Sequence, residues 1–282
     1  MAETTSANPA LLADQVASLL VQPLEAASVV LSSGPRIFDT SGVLRIPKLT
    51  GSSAVGFVGE GEEIDDTHGT TFDEIVLMPA DRKSIKVIER YTNELVRQSV
   101  VGIDAVLKNR LVKVVSDKLD TALLTGDGLN DTITGLIFQE GALEAPLDVT
   151  DADSLLTAIG ELSAAEVMPN RWLINGDDFI ALRKLKETDT SSKYLLESDV
   201  TAGPTYRLFG IPVTVTNKLP EGTAVLADMS QVAIARDLAP SVTILSERYA
   251  EYDQIGIRVV TRYDLGLLQP AAVLVLNAEG GS

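Results

Sequence analysis

Several chemistries are excluded by what the sequence lacks. Cysteine is absent from the 282 residues, histidine occurs once, and aromatic residues make up only 5% of the chain. Without cysteine there are no disulfides, thiol nucleophiles or thiolate metal sites. The single histidine, His68, excludes multi-histidine metal centres and leaves a Ser-His-Asp arrangement only one base. No segment approaches the roughly 20 continuous apolar residues that a membrane-spanning helix needs.

Positive charge is also scarce. The chain has 23 Lys and Arg residues against 40 Asp and Glu residues, which gives a net charge of −17. We therefore do not expect strong binding of nucleic acid through a basic surface to be the main function. The fractions of hydrophobic (45%) and charged (22%) residues are those of an ordinary globular protein.

The first third of the sequence predicts extended structure followed by a long helix. Runs of β-like residues at 43–49, 54–58, 72–78 and 84–91 predict a long hairpin, or ribbon. An isolated hairpin is marginally stable in water, so the ribbon needs another surface to lie on. Apolar residues spaced by three to five positions from Val96 to Leu123 then predict the helix. Thr92 or Ser99 is its expected N-cap, Gly102 a break near its start, and Gly126 part of its stop.

The rest of the chain predicts an α+β fold. A helix is expected at 153–167, a strand at 171–174 and a helix at 177–186. The last third is mostly strand, with β-like runs at 211–216, 223–227, 231–235, 242–249, 255–263 and 271–276.

Charge is distributed unevenly along this pattern. Residues 49–81 hold eight acidic residues and no Lys or Arg, whereas residues 82–118 hold nine basic and four acidic residues. We therefore expect the acidic ribbon of one copy to lie over the basic segment of another. The candidate inter-subunit contacts are Glu60, Glu62, Glu63, Asp65, Asp66, Arg82, Lys83, Lys86 and Arg90.

No arrangement of residues predicts catalysis. Gly126, Gly128 and Gly135 superficially resemble a phosphate-binding loop, but there is no Gly-Lys-Ser/Thr, and these glycines close a helix instead of opening one. The carboxylate pairs Glu62-Glu63, Asp65-Asp66 and Asp177-Asp178 are expected to be solvated, or to cap a helix in the case of Asp177. His68 is expected to be exposed in the acidic loop. We predict no catalytic residue, no cofactor and no metal site.

Several segments, in their order along the chain, resemble the major capsid proteins of tailed double-stranded DNA bacteriophages. In the ribbon these are Phe57-Val58-Gly59-Glu60-Gly61, Ile64, Phe72 and Leu77-Met78-Pro79. After the long helix come Leu123-Leu124-Thr125-Gly126-Asp127-Gly128 and Thr134-Gly135-Leu136. Later segments are Trp172 to Leu185, Lys193-Tyr194-Leu195, Leu208-Phe209-Gly210-Ile211-Pro212-Val213, and Ile257-Arg258 to Pro270-Ala271-Ala272. Each segment alone is weak evidence for the resemblance, whereas the order of the segments along the chain is specific.

The resemblance implies the domain organisation of that family. Residues 1–41 would form an N-terminal arm, 42–91 an extended β-hairpin loop, and 92–130 a peripheral domain with a long spine helix. Residues 131–235 would form an axial domain, and 236–282 would return to the peripheral domain.

The resemblance also implies a structural, non-enzymatic function. Copies would assemble into hexamers and pentamers and then into an icosahedral head that encloses double-stranded DNA without specific binding. The protein would be located in the virion, after assembly in the host cytoplasm. The expected partners are a scaffolding protein, a portal and decoration proteins, and no membrane is involved. The scaffolding protein is expected to be a separate chain because the arm begins within a few residues of Met1. Some relatives join subunits by an isopeptide bond from a lysine in the extended loop, but residues 49–81 contain no lysine, so we expect no such link.

Two other functions remain open from the sequence. An encapsulin-type nanocompartment shell shares the fold but encloses a cargo enzyme. A soluble acidic hydrolase that uses Asp or Glu fits the composition, although no constellation of residues supports it.

Overall fold

A computed structural model describes residues 27–50, 71–78, 84–94, 103–129, 132–186, 206–245 and 247–278. The strands in these ranges are β1 (Arg36–Asp39), β2 (Leu44–Thr50), β3 (Thr71–Leu77), β4 (Ile85–Thr92), β5 (Leu143–Leu147), β6 (Arg171–Ile174), β7 (Arg207–Leu208), β8 (Ile211–Val215), β9 (Thr223–Ala227), β10 (Val232–Leu245), β11 (Gln254–Leu267) and β12 (Val273–Ala278). The α-helices are α1 (Val29–Ser32), α2 (Ile103–Thr125), α3 (Asp153–Ala164) and α4 (Gly176–Arg183). This mixture confirms the predicted α+β class.

A four-stranded sheet packs against the long helix α2. The strand order is β1-β10-β11-β4, with β1 parallel to β10 and the other neighbours antiparallel. One face of the sheet packs on α2, since Val259 and Leu265 of β11 share a core with Leu111, Val115 and Leu119 of the helix. Ile85 and Val87 of β4 pack against the same core.

The placement of β4 corrects the predicted ribbon. We expected residues 84–91 to be an arm of the hairpin, but β4 pairs with β11 along eight residues, from Ile85 opposite Thr261 to Thr92 opposite Gln254. The alternate apolar residues of β4 gain more from burial against α2 than a free-standing hairpin provides. The ribbon itself is β2 paired antiparallel with β3, and the predicted run 54–58 lies outside the described residues.

The late strands also differ from the prediction. The runs 231–235 and 242–249 are one strand, β10, whose pairing with β11 shifts register between Arg236 and Ser241. Pro240 breaks the sequence pattern, and bulges of this kind accommodate proline within a strand.

A six-stranded sheet forms a second core. Its order is β5-β12-β9-β6-β8-β7. Trp172 of β6 is fully buried and shares this core with Leu155 and Leu162 of α3 and Phe179 of α4. The predicted strands at 171–174 and 223–227 are confirmed as β6 and β9.

The helix boundaries follow local backbone chemistry. Helix α2 runs from Ile103 to Thr125 and ends before Gly126, as predicted, and its 23 residues span about 35 Å at about 1.5 Å per residue. Thr92 is followed directly by helical residues at 93 and 94, whereas the other expected N-cap, Ser99, and the expected break at Gly102 lie outside the described residues. Helix α3 ends three residues early, since Glu166 has a φ of 58° and the Val167 N–H bonds to the carbonyl of Leu162 at 2.9 Å.

Candidate functional site

The stem of the ribbon is held by cross-strand pairs. Register runs from Leu44 opposite Leu77 to Thr50 opposite Thr71. Arg45 and Glu74 form an ion pair of 2.5 Å, and Lys48 lies opposite Asp73. Two of the eight acidic residues of the ribbon segment therefore face cations of the same copy. The candidate contacts Glu60, Glu62, Glu63, Asp65 and Asp66 lie outside the described residues, as does His68.

The root of the ribbon is fixed to the four-stranded sheet. Leu77 and Met78 are buried against Ala233 and Ala235 of β10. The Met78 N–H donates to the carboxylate of Asp264 at 2.7 Å. A side chain at position 266 would crowd this contact, because a Cβ atom there would lie 2.6 Å from Leu77 Cδ2. These contacts anchor one end of the hairpin.

The ribbon is exposed a few residues away from this anchor. Asp73 and Glu74 are adjacent in β3, so their side chains point to opposite faces of the strand. Both are exposed. At this level neither face of β3 is covered by the same copy.

The described part of the basic segment lies on β4 and α2. Lys86 and Arg90 are both exposed and, at a spacing of four residues, share one face of β4, while Ile85 and Val87 point to the core on the other face. The candidates Arg82 and Lys83 lie outside the described residues.

A polar cluster joins β4 to α2 on the buried side of the sheet. Tyr91 donates a hydrogen bond to Glu89, and Glu89 lies 3.9 Å from Arg110 of α2. Burial, followed by the hydrogen bond to Glu89 and its negative charge, raises the pKa of Tyr91 to about 12, although Arg110 opposes the shift. The phenol therefore stays neutral at physiological pH.

The glycine-rich exit from α2 is a tight backbone crossing. The Gly135 N–H donates to the carbonyl of Gly126 at 2.7 Å. A Cβ atom at Gly126 would lie 2.1 Å from the carbonyl oxygen of Ile133, and one at Gly135 would lie 2.6 Å from that of Leu124. The side chain of Asp127 closes the loop by accepting hydrogen bonds from Leu129 N and Thr132 Oγ1. This geometry confirms the predicted helix stop.

The Asp177-Asp178 pair differs from its predicted capping role. Asn175, not Asp177, caps α4, because its side chain accepts a hydrogen bond from the Asp177 N–H at 2.9 Å. Asp178 is buried, not solvated, and accepts from the Gly222 N–H at 2.8 Å. The side chains of Asn175 and Asp178 thus stabilise the local fold through these hydrogen bonds. Elsewhere in the described ranges, no group of three or more His, Asp or Glu side chains is placed to hold a metal ion.

Two exposed arginines of the late strands were missed as site residues. Arg258 lies opposite Ile88 of β4, and Gly256 lies opposite Arg90, which puts Arg258 on the same sheet face as Lys86 and Arg90. Arg248 follows β10 and lies over the ring of Tyr249. The alternation of apolar and polar residues at 255–263 indicates that one face of this strand is exposed. Only the pairing with β4 reveals that Arg258 shares this face with Lys86 and Arg90. Among the described helices, none combines the length and the apolar character needed to cross a bilayer.

Comparisons with known proteins identify the fold. The capsid of a native GTA particle superimposes with a TM-score of 0.72 at 18% identity, over 89% of this chain and 90% of that chain. A chain of Mycobacterium phage Cain gives 0.68 at 17% identity, over 90% and 91% of the two chains. A chain of Microbacterium phage Oxtober96 gives 0.69 at 18% identity, over 89% and 91%. Curated proteins yield no match.

The family assignment rests on sequence. The model of the phage capsid family matches residues 10–278, nearly the whole chain. The match agrees with the tailed-phage capsid fold seen in the superpositions. This chain therefore belongs to the phage capsid family and is a structural major capsid protein that forms the shell of the head.

Proposed function

We propose that copies of this chain join into hexamers and pentamers through contacts in which the acidic ribbon of one copy lies over the basic segment of the next. The observation that carries this proposal is the ribbon stem, whose residues Asp73 and Glu74 are exposed on both faces of β3. A hairpin that stands clear of its own subunit gains burial only from another copy. Such head-to-tail contacts close into rings.

The contact sets register more than it adds stability. Exposed ion pairs contribute about 1 kcal/mol or less each, whereas complementary charge steers encounter and suppresses wrong pairings. Lys86 and Arg90 of the basic segment are exposed and available for such a contact.

The shell encloses double-stranded DNA without gripping it. The net charge of −17 supports this, because an inner wall without excess positive charge lets phosphate slide during filling. A strongly basic inner lining in a particle structure would contradict it. An encapsulin-type shell is the second candidate from the sequence, and the contents of purified particles, nucleic acid or a cargo enzyme, separate the two.

Further partners follow from the family. We propose a separate scaffolding protein, a portal and decoration proteins, with assembly in the host cytoplasm and no enzymatic activity of the shell. Because residues 49–81 contain no lysine, contacts between subunits are noncovalent. A denaturing gel of boiled particles that shows ladders of joined chains would contradict this.

Assembly of purified protein tests the ribbon contact. Changing Glu60, Glu62 and Glu63 to Lys is expected to abolish particles in electron micrographs and to leave smaller species in sizing chromatography. The matched control changes the exposed residues Glu140, Glu161 and Glu221 to Lys, which alters net charge equally. Equal particle yield from both variants would refute the ribbon contact.

A further inference from the structure

We infer that a cavity beside the C-terminal half of α2 is a binding site for a small organic anion with an aromatic body. The cavity has a volume of about 610 Å³ and lies between α2, the start of β4 and the segment 127–138 that follows the helix. Small-molecule sites in proteins commonly measure roughly 300–1,000 Å³. The inference goes beyond the proposed shell function and does not depend on the contact between copies.

The inner wall of the cavity is apolar and fixed in place. Leu119 of α2 is fully buried, and Ile133 is nearly so. Ala122 packs against the same core. Gly126 also lines the cavity, and its backbone is held by the hydrogen bond from the Gly135 N–H. A ligand that enters this space therefore meets a wall that is already formed, so little ordering of the protein opposes binding.

Two aromatic residues line the same cavity. Tyr263 of β11 is buried, whereas the side chain of Phe138 is 56% exposed. A flat apolar ligand in the cavity would remove part of the Phe138 ring from water, and contacts between aromatic rings contribute beyond the buried area. A rigid ring also loses less conformational entropy on binding than a flexible chain does. These features favour an aromatic body for the ligand.

Two lysines supply positive charge to the cavity. Lys86 of β4 and Lys118 of α2 both line it, and both are exposed. Among the residues that the structure describes, no carboxylate lies within 4.0 Å of either ammonium group. In a chain with a net charge of −17, two lysines without an acidic partner are a specific feature of this cavity.

The other polar groups of the wall are already hydrogen-bonded. The hydroxyls of Thr121 and Thr125 donate to backbone carbonyls of the preceding turn of α2, at 2.8 Å and 2.9 Å. The carboxylate of Asp127 accepts from Thr132 Oγ1 at 2.6 Å and from the Leu129 N–H at 2.9 Å. Ammonium groups are therefore the donors that remain for the polar end of a ligand, and they select an anionic head such as a carboxylate.

Calorimetric titration of the full-length chain with naphthoate tests the inference. Naphthoate combines an aromatic body with a carboxylate, and a ligand of this size is expected to bind with a Kd on the order of 1 mM or tighter. Naphthamide has the same shape without the charge and should bind at least about tenfold more weakly. Naphthylmethylammonium, which carries the opposite charge, should not bind. Naphthoate should also raise the melting temperature, because it binds only the folded chain.

Single substitutions locate the bound ligand. Lys118→Gln and Lys86→Gln are each expected to lower the affinity for naphthoate at least about fivefold and to leave that for naphthamide unchanged. Phe138→Ser should weaken the binding of both compounds, because it removes the exposed ring. The matched control is Lys113→Gln, which changes an exposed lysine of α2 that does not line the cavity. Circular dichroism checks that each variant folds.

Four outcomes would overturn the inference. The first is the absence of saturable binding of naphthoate, and the second is equal affinity for naphthoate and naphthamide. The third is unchanged binding of naphthoate in both Lys118→Gln and Phe138→Ser, which would place the ligand elsewhere on the chain. The fourth is tighter binding of decanoate, which carries the same head on an aliphatic chain. Particle formation by the wild-type chain is measured separately, so the shell function stands or fails independently of this site.

Discussion

The carboxylate of Asp120 on α2 accepts the hydroxyl hydrogen of Ser28 at 2.5 Å, across 92 residues of sequence. The same carboxylate accepts from the backbone N–H groups of Val29 at 2.9 Å and Val30 at 3.2 Å. Ser28 in turn caps α1 through the Leu31 N–H. A buried acid in the last third of the long helix thus fixes α1 to the body of the subunit.

Replacing this acid is expected to loosen that junction. Asp120→Ala leaves the Ser28 hydroxyl and two N–H groups without their acceptor, so the free energy of unfolding should fall by about 3 kcal/mol. Ser28→Ala, which removes the cap but keeps the carboxylate, should cost about 1 kcal/mol. Chemical denaturation of the dissociated subunit measures both, and limited proteolysis near residue 28 should accelerate in Asp120→Ala. Equal stability of Asp120→Ala and wild type would contradict the assigned role.

The crossing of Gly126 and Gly135 should not tolerate a methyl group. Gly135→Ala places Cβ 2.5 Å from the Gly126 nitrogen and 2.6 Å from the Leu124 oxygen, both backbone atoms that cannot rotate away. We expect a loss of at least about 2 kcal/mol in thermal or chemical denaturation. Gly160→Ala is the control, because Gly160 lies inside α3 with no atom within 4 Å of the added Cβ. That change should stabilise the subunit by about 0.5–1 kcal/mol.

Tyr91 should titrate later than an ordinary tyrosine. Its pKa in the folded state is raised from 10.0 to about 12, so the folded state holds the phenolic proton more tightly than the unfolded state does. The resulting stabilisation is present below pH 10 and is lost as the pH rises through 12. The absorbance of tyrosinate in wild type minus that in Tyr91→Phe reports this pKa.

Changing Glu89, which accepts the hydrogen bond of Tyr91, tests the cause of the raised pKa of Tyr91. Glu89→Gln should move the pKa of Tyr91 only part of the way back, because burial remains after the negative charge is removed. Tyr252→Phe, at a position that is 69% exposed, is the control for removing a tyrosine outside this cluster. An unchanged pKa of Tyr91 in Glu89→Gln would show that the carboxylate has no influence on it.

The contact of Asp39 with Arg236 should weaken in acid. The two oxygens of Asp39 accept from Arg236 Nε at 2.6 Å and Nη2 at 2.9 Å, and this hydrogen bonding lowers the pKa of Asp39 below 3.8. Its stabilisation is therefore present above pH 3.8 and is lost as the pH falls through the lowered value. Asp39→Asn should cost no more than about 1 kcal/mol at pH 7, since the Asp39 side chain is exposed, and its difference from wild type should vanish in acid.

Local elements were predictable because their signals are local. Helix α2 follows from apolar residues spaced at three to five positions, and its end follows from Gly126. Strands β6 and β9 are short apolar runs between turn residues, and their predicted bounds are confirmed. The family, too, was identified from the order of short segments.

Pairing between distant segments was not predictable in the same way. The run that became β4 has the alternation of a hairpin arm, and only its partner β11, about 170 residues later, decides that it lies in the sheet. The exposed cations beside β4 and β11 were half predicted for the same reason. Lys86 and Arg90 stand out in a basic segment, whereas Arg248 and Arg258 join them only through the register of the sheet.

The position of the ribbon stem also limits the distance over which the proposed contact between copies can reach. Ten residues separate Thr50 from the middle of the segment 51–70, so the hairpin reaches at most about 35 Å past its last described pair. The anchoring of Leu77 and Met78 to β10 fixes the origin of that span. Under the proposed ribbon contact, this length sets a maximum spacing between neighbouring subunits in a ring, and lengthening or shortening residues 51–70 should alter the curvature of the shell.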